Sequence, residues 1–532
     1  MRKFSSYGPI STTSNYYAPR KALIERGLLQ LVGEQTEEGG HYITVWAPRQ
    51  TGKTWVMQQV LFTLMKDERF DVVKLNLQHL ERVSDVDTII DDIGQKIINA
   101  LQLPQTETYT SQNIEKLFHQ AVLRKPLIII LDEFDSLPQE AIRALAATFR
   151  NIYVHRRDDP RRNAEKEFLL HGVALIGVRS VLGIENESGS PFNVQRSLHI
   201  PNLTFDEVSG LFEDYAQESG QPIEADVIEH LYAETRGQPG LTCWFGELLT
   251  EGFQHYQPPQ NDPITKKDFE IVYAAGVKVL PNSNILNIIS KARQEPYKTV
   301  VLELLRTDRK VAFSYDDHRL NFLYMNGVID IERQDATEYY ARFACPFIQK
   351  RLFNYFAHEL FRDMGKIFTP FENIDDTITD DTLNIKHLMR RYERHLQANR
   401  EWLLKDVPRR EDLRVYEAVY HFNLYVYLQD FLKTYDARVH PEFPTGNGKI
   451  DLLIDHGGNI YGLELKSYTN DRDFRKALQQ AARYGQQLGV QQLALVVFVE
   501  AIDTNTRTRY ETDYHDEETG VLVTPIFIAT DA

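Results

Sequence analysis

The chain has 532 residues, of which 42% are hydrophobic and 26% charged, as in a folded protein of several domains. Its formal net charge of -16 excludes a uniformly basic coat for nucleic acid, although local basic clusters remain compatible with phosphate binding. The two cysteines, Cys243 and Cys345, are too few and too far apart for a disulfide framework or a cysteine-based zinc site.

The N-terminal residues and the longest apolar runs bear on the cellular compartment. MRKFSSYGPISTTSN contains no apolar segment of the signal-peptide kind. The run LALVVFV at 493–499 has the length of a strand and is too short to cross a bilayer. We therefore expect a cytoplasmic protein without a membrane partner.

Between residues 21 and 200, apolar strand-like segments alternate with amphipathic helix-like segments. HYITVWA at 41–47, LIIIL at 127–131 and HGVALIGVR at 171–179 have the character of strands. This alternation predicts a parallel sheet with helices on both faces.

Residues 47–54 read APRQTGKT and lie between the first strand and a helix. A loop of this kind presents backbone N–H groups to phosphates, while Lys53 reaches the outer phosphates and Thr54 binds Mg²⁺. Ala47 replaces the first glycine of the usual pattern. The rest of the predicted nucleotide-binding loop consists of Arg49, Gln50, Thr51, Gly52 and Trp55.

LIIILDEFDSL at 127–137 supplies the acidic partner of this loop. Asp132 is placed to hold Mg²⁺, and Glu133 is placed to polarise the attacking water. The alternative is a chance GKT turn and an acidic helix cap. The order and placement of both motifs favour a site for ATP and Mg²⁺.

Residues 16 to about 250 resemble the STAND branch of the AAA+ superfamily. APRQTGKT is similar to its Walker A motif, and LIIILDEFD is similar to its Walker B motif. By this resemblance Arg179 would be the sensor-1 arginine, Pro239 would belong to the GxP motif, and Arg20 of YYAPR would contact the nucleotide. Pro19 departs from the family, which usually has glycine there.

Such ATPases act as switches that assemble on a trigger, so the resemblance implies a homo-oligomer and a trigger molecule or partner protein. A neighbouring subunit often supplies an arginine finger. Within the basic stretch 149–166, Arg156 and Arg157 are the candidates, and a solvated loop is the alternative.

The middle of the chain offers two weaker signals. Residues 301–332 predict a winged-helix-like module, with Asn326-Gly327 as a type I′ turn between short strands. Residues 386–414 are rich in arginine with interleaved aromatics. They predict either a solvated helix face or a phosphate-contacting arm.

GKIDLLIDHGGNIYGLELKSYTN at 448–470 has the pattern of two strands joined by a glycine turn. Side chains alternate along a strand, so Glu464 and Lys466 point to one face, beside Asp451 of the partner strand. An ion pair on an exposed sheet face would explain the pattern. The alternative is a metal site, because two carboxylates suit Mg²⁺ or Mn²⁺ and a metal lowers the very high barrier of phosphodiester hydrolysis.

Residues from about 406 to 510 resemble the PD-(D/E)xK nuclease superfamily, although Ile450 stands where the name pattern has proline. The resemblance implies that Asp451 and Glu464 bind metal with the Leu465 carbonyl, and that Lys466 is catalytic. Further implied site residues are Glu417, as a ligand of a second metal or a support of the first, and Gln480 and Tyr484, whose motif resembles the recombination-exonuclease branch.

The expected fold class is α/β multidomain. We predict a nucleotide-contact arm, a P-loop parallel-sheet ATPase, a helical lid, a winged-helix-like domain, a helical linker and a restriction-endonuclease-like α/β nuclease. Their boundaries are 1–20, 21–200, 201–255, 256–370, 371–405 and 406–532.

These parts predict an ATP-regulated, Mg²⁺- or Mn²⁺-dependent nuclease that cuts DNA rather than RNA. A switch joined to such an effector indicates, by analogy, prokaryotic defence against phage or plasmids. The alternatives are a non-cutting ATP-dependent DNA-handling scaffold and a nuclease of DNA repair or of a mobile element.

Overall fold

The computed structural model describes residues 1–8, 10–104, 107–177, 196–251, 256–305, 310–368, 372–409, 415–445 and 448–531, without the side chains of 442–449. The helices are α1 (Lys21–Val32), α2 (Lys53–Leu64), α3 (Val86–Ala100), α4 (Gln139–Asp158), α5 (Phe205–Ser219), α6 (Ala225–Thr235), α7 (Pro239–Thr250), α8 (Lys266–Lys278), α9 (Ser283–Ala292), α10 (Tyr297–Leu304), α11 (His318–Met325), α12 (Pro346–Leu360), α13 (Ile385–Leu403), α14 (Glu417–Leu432), α15 (Asp471–Leu488) and α16 (Thr504–Tyr510). The strands are β1 (Tyr42–Trp46), β2 (Asp71–Asn76), β3 (Leu127–Asp132), β4 (Leu170–Gly177), β5 (Arg196–His199), β6 (Val311–Ala312), β7 (Ile329–Arg333), β8 (Tyr339–Phe343), β9 (Ala437–Thr445), β10 (Gly448–His456), β11 (Asn459–Ser467), β12 (Gln492–Val499), β13 (Tyr514–His515) and β14 (Leu522–Ala529).

The chain divides into two compact units. The P-loop unit consists of Met1–Lys291, Ser314–Asp330 and Ala344–Pro346. The C-terminal unit consists of Ala292–Phe313, Ile331–Phe343 and Phe347–Ala532.

The P-loop unit contains the predicted parallel sheet, with strand order β2-β3-β4-β1-β5. Strand β1 pairs in parallel with β4 on one side and with β5 on the other. The side chains of β3 and β4 are buried along their whole length. Such continuous apolar strands are typical of a parallel sheet covered on both faces.

Two apolar cores cover the two faces of this sheet. One contains the inward faces of α3 and α4, including Ile93 and Phe149. The other contains α2 and part of α1, including Val60 and Leu31. The sheet is therefore rigid where its carboxyl ends carry the loops after β1 and β3.

The N-terminal arm is fixed to the helices that follow the sheet. Phe4 is buried and contacts the rings of Tyr16, Phe212 and Tyr215. The backbone N–H of Ser6 donates a 2.5 Å hydrogen bond to Glu247 of α7. Residues before the sheet are thus built into the lid region.

The middle of the chain contains α10 and α11 and a small sheet of order β6-β8-β7. The interpretation of Asn326-Gly327 as a hairpin turn is wrong. Both residues end α11, where Gly327 has a φ of 73° and donates its N–H to the Tyr324 carbonyl. The same dipeptide suits a helix C-terminus, because glycine takes a left-handed conformation without strain.

The C-terminal unit is built on a mixed sheet of order β13-β14-β12-β11-β10-β9. Strands β10 and β11 form the predicted antiparallel hairpin, with Leu452 opposite Leu463. Strand β11 then pairs in parallel with β12. Helix α15 packs its apolar face, including Phe474 and Ala481, onto this sheet.

Helix α13 carries the arginines predicted as a phosphate-contacting arm, but their guanidinium groups are used inside the unit. Arg390 pairs with Glu393 and Glu511. Arg391 pairs with Glu372 and Asp376. The prediction of an arm is therefore wrong for these two arginines.

Among the helices of the described residues, none combines the length and the apolar character that crossing a bilayer requires.

Glu393 is the centre of this ion-pair network and is only 6% exposed. Its carboxylate accepts hydrogen bonds from Arg507 at 2.6 Å and from the Ala529 N–H at 2.7 Å. We predict that Glu393→Gln lowers the free energy of unfolding of this unit by about 2 kcal/mol, because the partly buried Arg507 loses the charge of its buried carboxylate partner. Urea unfolding followed by fluorescence measures the change. Glu517→Gln, at an exposed carboxylate, is the matched control, and an equal effect of both would contradict the prediction.

Candidate nucleotide and metal sites

The loop between β1 and α2 has the geometry of a phosphate-binding loop. Gly52 has a φ of 90° and Gln50 a φ of 57°. The Lys53 ammonium donates to the carbonyls of Ala47 and Pro48, each at 2.8 Å. The Lys53 side chain is thus folded over its own loop, where the backbone carbonyl of Ala47 accepts one of its hydrogen bonds.

The Lys53 ammonium is enclosed by the loop and by the acidic residues after β3. Burial lowers the pKa of Lys53 to about 8, and Glu133, Asp135 and Asp132 act in the opposite direction. Burial also raises the pKa of Glu133, together with the neighbouring aspartates. A cation and carboxylates therefore face each other where a nucleotide's outer phosphates would lie.

Asp132 is 2% exposed at the end of β3. Its carboxylate pairs with Lys74 at 3.0 Å. The Glu133 N–H donates to Asp132 at 3.2 Å. The structure places both predicted acidic residues beside the loop.

A cavity of about 360 Å³ opens above the loop. All the predicted loop residues from Arg49 to Trp55 line it, with Glu133 and Pro239. Five residues of the predicted nucleotide-contact arm also line it, although the sequence singled out only Arg20 there; they are Ser5, Ser6, Tyr7, Gly8 and Ile10. Sequence analysis missed the remaining lining residues, which are Gln78, Gly240, Cys243, Ser283, Asn284 and Asn287. They come from segments far apart in the chain, and no local pattern marks them.

Gln238, the middle residue of the GxP motif, joins the predicted helical lid to the phosphate-binding loop. Gln238 donates its amide N–H to the Arg49 carbonyl at 3.2 Å, and its amide oxygen accepts from the Leu241 N–H at 2.5 Å. The Gly240 N–H donates to the Gln50 carbonyl at 3.1 Å. The start of α7 is therefore bonded directly to the backbone of the loop.

Three predicted arginine roles have different outcomes. Arg20 does not line the described cavity, because its guanidinium binds Glu207 and the Pro201 carbonyl. Arg179 lies outside the described residues. Arg156 is a buried residue of α4 that donates to Asn163, so it is unavailable as a finger and does not belong to a solvated loop.

The second candidate site lies on β10 and β11. Asp451 is 2% exposed, Glu464 is 0% exposed and Lys466 is 7% exposed. The alternative of an ion pair on an exposed sheet face is therefore wrong about exposure, although the ion pair between Lys466 and Glu464 is present. Asp451 accepts a 2.7 Å hydrogen bond from the Leu465 N–H, which ties the two strands together at the site.

Lys466 is the positively charged residue of this group. Its ammonium lies 2.9 Å from Glu464. Burial lowers the pKa of Lys466, but Glu464, Asp451 and Glu417 outweigh burial, so the pKa is raised overall. The lysine therefore carries a positive charge among three carboxylates.

Helix α14 begins at Glu417 and is buried on nearly all sides. Glu417 itself is 3% exposed. One turn on, the buried His421 lies 3.8 Å from the Glu417 carboxylate. The sequence did not indicate that His421 lies near the site.

The donors of this group fit a hard divalent cation. The buried carboxylates of Asp451, Glu464 and Glu417 surround one ammonium, so the group is rich in oxygen donors. Carboxylate and carbonyl oxygens are the ligands that Mg²⁺ and Mn²⁺ prefer. No three His, Cys, Asp or Glu side chains are grouped as a metal site within the described part of the chain. The predicted set therefore stays at Asp451, Glu464 and the Leu465 carbonyl.

Gln480 and Tyr484 lie on one face of α15, as predicted, and the Gln480 amide donates to the Tyr484 hydroxyl at 2.7 Å. Gln480 and Lys466 line the same cavity of about 270 Å³. The motif on the helix and the lysine on the strand therefore face one space.

The model of an AAA-like domain matches residues 5–251. Together with the loop geometry, this match identifies the segment as a P-loop ATPase domain of the AAA-like type. No curated protein matches the chain significantly.

Solved structures resemble the chain at low identity. The Walker-type ATPase of Pyrococcus abyssi is 12% identical with a TM-score of 0.43, over 66% of this chain and 99% of that one. Aeropyrum pernix Orc1 in complex with DNA is 15% identical with a TM-score of 0.33, over 63% and 92%. A point variant of Thermotoga maritima RuvB is 14% identical with a TM-score of 0.33, over 59% and 88%.

The lowered pKa of Lys53 predicts how nucleotide affinity depends on pH. Below pH 8 the Lys53 side chain is charged and attracts phosphates. Above pH 8 it is mostly neutral, so Lys53 must take up a proton when the nucleotide binds. We expect ATP affinity to weaken by up to about tenfold per pH unit between about pH 8 and pH 9.5. Titration calorimetry measures the affinity.

Lys53→Arg is the control for this prediction, because a guanidinium stays charged throughout that range. Its affinity should be nearly independent of pH. A wild-type affinity that stays flat to about pH 9.5, or an equal decline in both proteins, would contradict the assignment.

Proposed function

We propose that this protein is an ATP-controlled, metal-dependent nuclease that cuts DNA. The P-loop unit binds and hydrolyses ATP, and the C-terminal unit cleaves phosphodiester bonds. The observation that carries the second half is the buried group of Asp451, Glu464 and Lys466. The resemblance of residues 406–510 to PD-(D/E)xK nucleases supports it.

The chemistry of cleavage explains why this group suits the task. Unaided phosphodiester hydrolysis is so slow that catalysts lower its barrier by roughly 20 kcal/mol. A bound Mg²⁺ or Mn²⁺ supplies Lewis-acid stabilisation of the charge that develops on phosphate. Asp451 and Glu464 would hold the ion with the Leu465 carbonyl. Lys466 would position the water that attacks phosphorus while the P–O bond to the leaving nucleoside breaks.

In the P-loop unit, Lys53 and the N–H groups of the loop would bind the phosphates of ATP. Thr54 and Asp132 would hold Mg²⁺, and Glu133 would orient the attacking water. The contact of Gln238 with the Arg49 carbonyl gives the lid a way to follow the nucleotide state. Contact of Arg20 and Arg179 with the nucleotide, and assembly into a homo-oligomer in response to a trigger, remain predictions from the STAND resemblance.

The biological role that fits a nucleotide switch joined to a nuclease is defence of a prokaryotic cytoplasm against phage or plasmids. This step rests on analogy with other switch-and-effector proteins. Its test is phage or plasmid challenge of cells that carry the wild type or Lys466→Ala. Equal survival in both would exclude cutting as the basis of protection.

A non-cutting ATP-dependent scaffold is the second candidate. The observation that favours it is that Lys466 pairs with Glu464 at 2.9 Å and that the Leu465 N–H bonds Asp451, so these groups have partners within the hairpin. In that case the hairpin would only bind DNA. A repair or mobile-element nuclease would use the same residues as the first proposal, and only its biological context would differ.

The cleavage test separates nuclease from scaffold. We predict that purified protein cuts DNA with Mg²⁺ or Mn²⁺, and that Lys466→Ala lowers the rate at least about 100-fold because the attacking water loses its positioning group. Gel assays on linear DNA, circular DNA and RNA measure the rate. Lys433→Ala, at an exposed lysine of the same unit, is the control.

Far-UV circular dichroism and urea unfolding of both variants test whether the C-terminal unit is folded, because ATP hydrolysis reports only on the P-loop unit. If the wild type hydrolyses ATP and cuts none of the three substrates with ATP and either metal, the scaffold is the better account. If Lys466→Ala cuts at the wild-type rate, the assignment of this lysine is wrong.

A further inference from the structure

Helix α15 has one face against the sheet and one face in solvent. Phe474, Ala477 and Ala481 belong to the buried face. The exposed face carries a set of basic side chains, which are Arg472, Arg475, Lys476 and Arg483. In a chain of net charge -16 such a face is a local exception.

These basic side chains differ from three arginines of the C-terminal unit that are paired inside it. Arg390, Arg391 and Arg507 each have a carboxylate partner in the same unit. None of the four basic groups of α15 has a carboxylate at ion-pair distance among the described residues. Their charge is therefore available to a ligand, whereas the charges of Arg390 and Arg391 on α13 are used inside the unit.

The spacing of the set suits a polymer of phosphates. At about 100° per residue, Arg472, Lys476 and Arg483 fall within about 40° of one another around the helix. From Arg472 to Arg483 the helix rises about 16 Å. One strand of duplex DNA places a phosphate every ~3.4 Å along its axis, so this length runs beside about five phosphates.

The basic face is continuous with the candidate cleavage site. Lys476 lines the cavity of about 270 Å³ that also contains Lys466 and Gln480. A phosphate in that cavity would lie between the strand lysine and the helix lysine. The neighbouring phosphates of the same strand would then meet the exposed face of α15.

The acidic residues of the first turn indicate the direction of this path. Asp471 accepts hydrogen bonds from the hydroxyls of Tyr468 and Tyr510, and Asp473 accepts one from Asn470. Asp473 also lines the cavity, so the carboxylates of this helix are concentrated at its first turn. Beyond Lys476, the exposed face to Arg483 carries no carboxylate.

We infer that α15 binds the phosphate backbone of the DNA strand whose bond is cut, with Lys476 at the cavity and Arg483 farther along the strand. This inference rests on the proposed nuclease function. It assigns to α15 the role that the sequence suggested for the arginines of residues 386–414.

The test is charge reversal on the exposed face in a cleavage-silent background. The double variant Lys476→Glu/Arg483→Glu is combined with Lys466→Ala, and binding of a fluorescein-labelled duplex is followed by anisotropy at several salt concentrations. Lys433→Glu/Arg438→Glu in the same background is the matched control, because both residues are exposed in the same unit. We expect the α15 pair to weaken binding at least about tenfold, and to reduce the slope of log Kd against log salt by about 2.

Unchanged affinity and slope, or an equal loss in the control pair, would overturn the inference. Both pairs are also placed in the otherwise wild-type chain and assayed for cleavage. If the wild type does not cut but the α15 double variant binds DNA more weakly, the nuclease proposal is wrong and the proposed DNA-binding face is supported. If the wild type cuts, and the α15 double variant cuts and binds DNA equally well, only the proposed DNA-binding face is wrong.

Discussion

A lysine ammonium enclosed among carboxylates is the constraint on which both candidate sites depend. In the P-loop unit, Lys53 lies near Glu133 and Asp132, and burial prevails, so its pKa falls to about 8. In the C-terminal unit, Lys466 lies among Glu464, Asp451 and Glu417, and the carboxylates prevail, so its pKa is raised. At the first site the ammonium lines a cavity beside the loop and suits an anionic nucleotide. At the second site three buried carboxylates surround the ammonium, and their oxygens suit a divalent cation.

The two sites are placed by the same kind of scaffold. Each lies where buried strands of a sheet end or pair, so that the backbone holds charged side chains that would otherwise be solvated. In the P-loop unit the lid is tied to this scaffold through Gln238, which bonds the backbone of Arg49. In the C-terminal unit the Leu465 N–H bonds Asp451 and fixes the hairpin. A few backbone contacts therefore hold the charged groups of each site in place.

Phosphate loops and strand pairs are encoded by neighbouring residues, so APRQTGKT and the Glu464–Lys466 pair could be identified from the sequence. The partners of Arg390 and Arg391 could not, because a basic helix looks the same whether its charges are free or paired. Asn326-Gly327 was misread because glycine with positive φ serves both hairpins and helix ends. The cavity residues Asn284 and Asn287 come from α9, beyond the matched AAA-like segment, and only the fold brings them to the loop.

The central claim is that nucleotide bound in one unit controls cutting by the other. The most direct test is the DNA cleavage rate of the wild type and of Lys53→Ala, each measured with metal and with increasing ATP. The account predicts a wild-type rate that changes with ATP, and a Lys53→Ala rate that stays constant while its nuclease residues are intact. The same dependence on ATP in both proteins, or none in either while both cut, would contradict it.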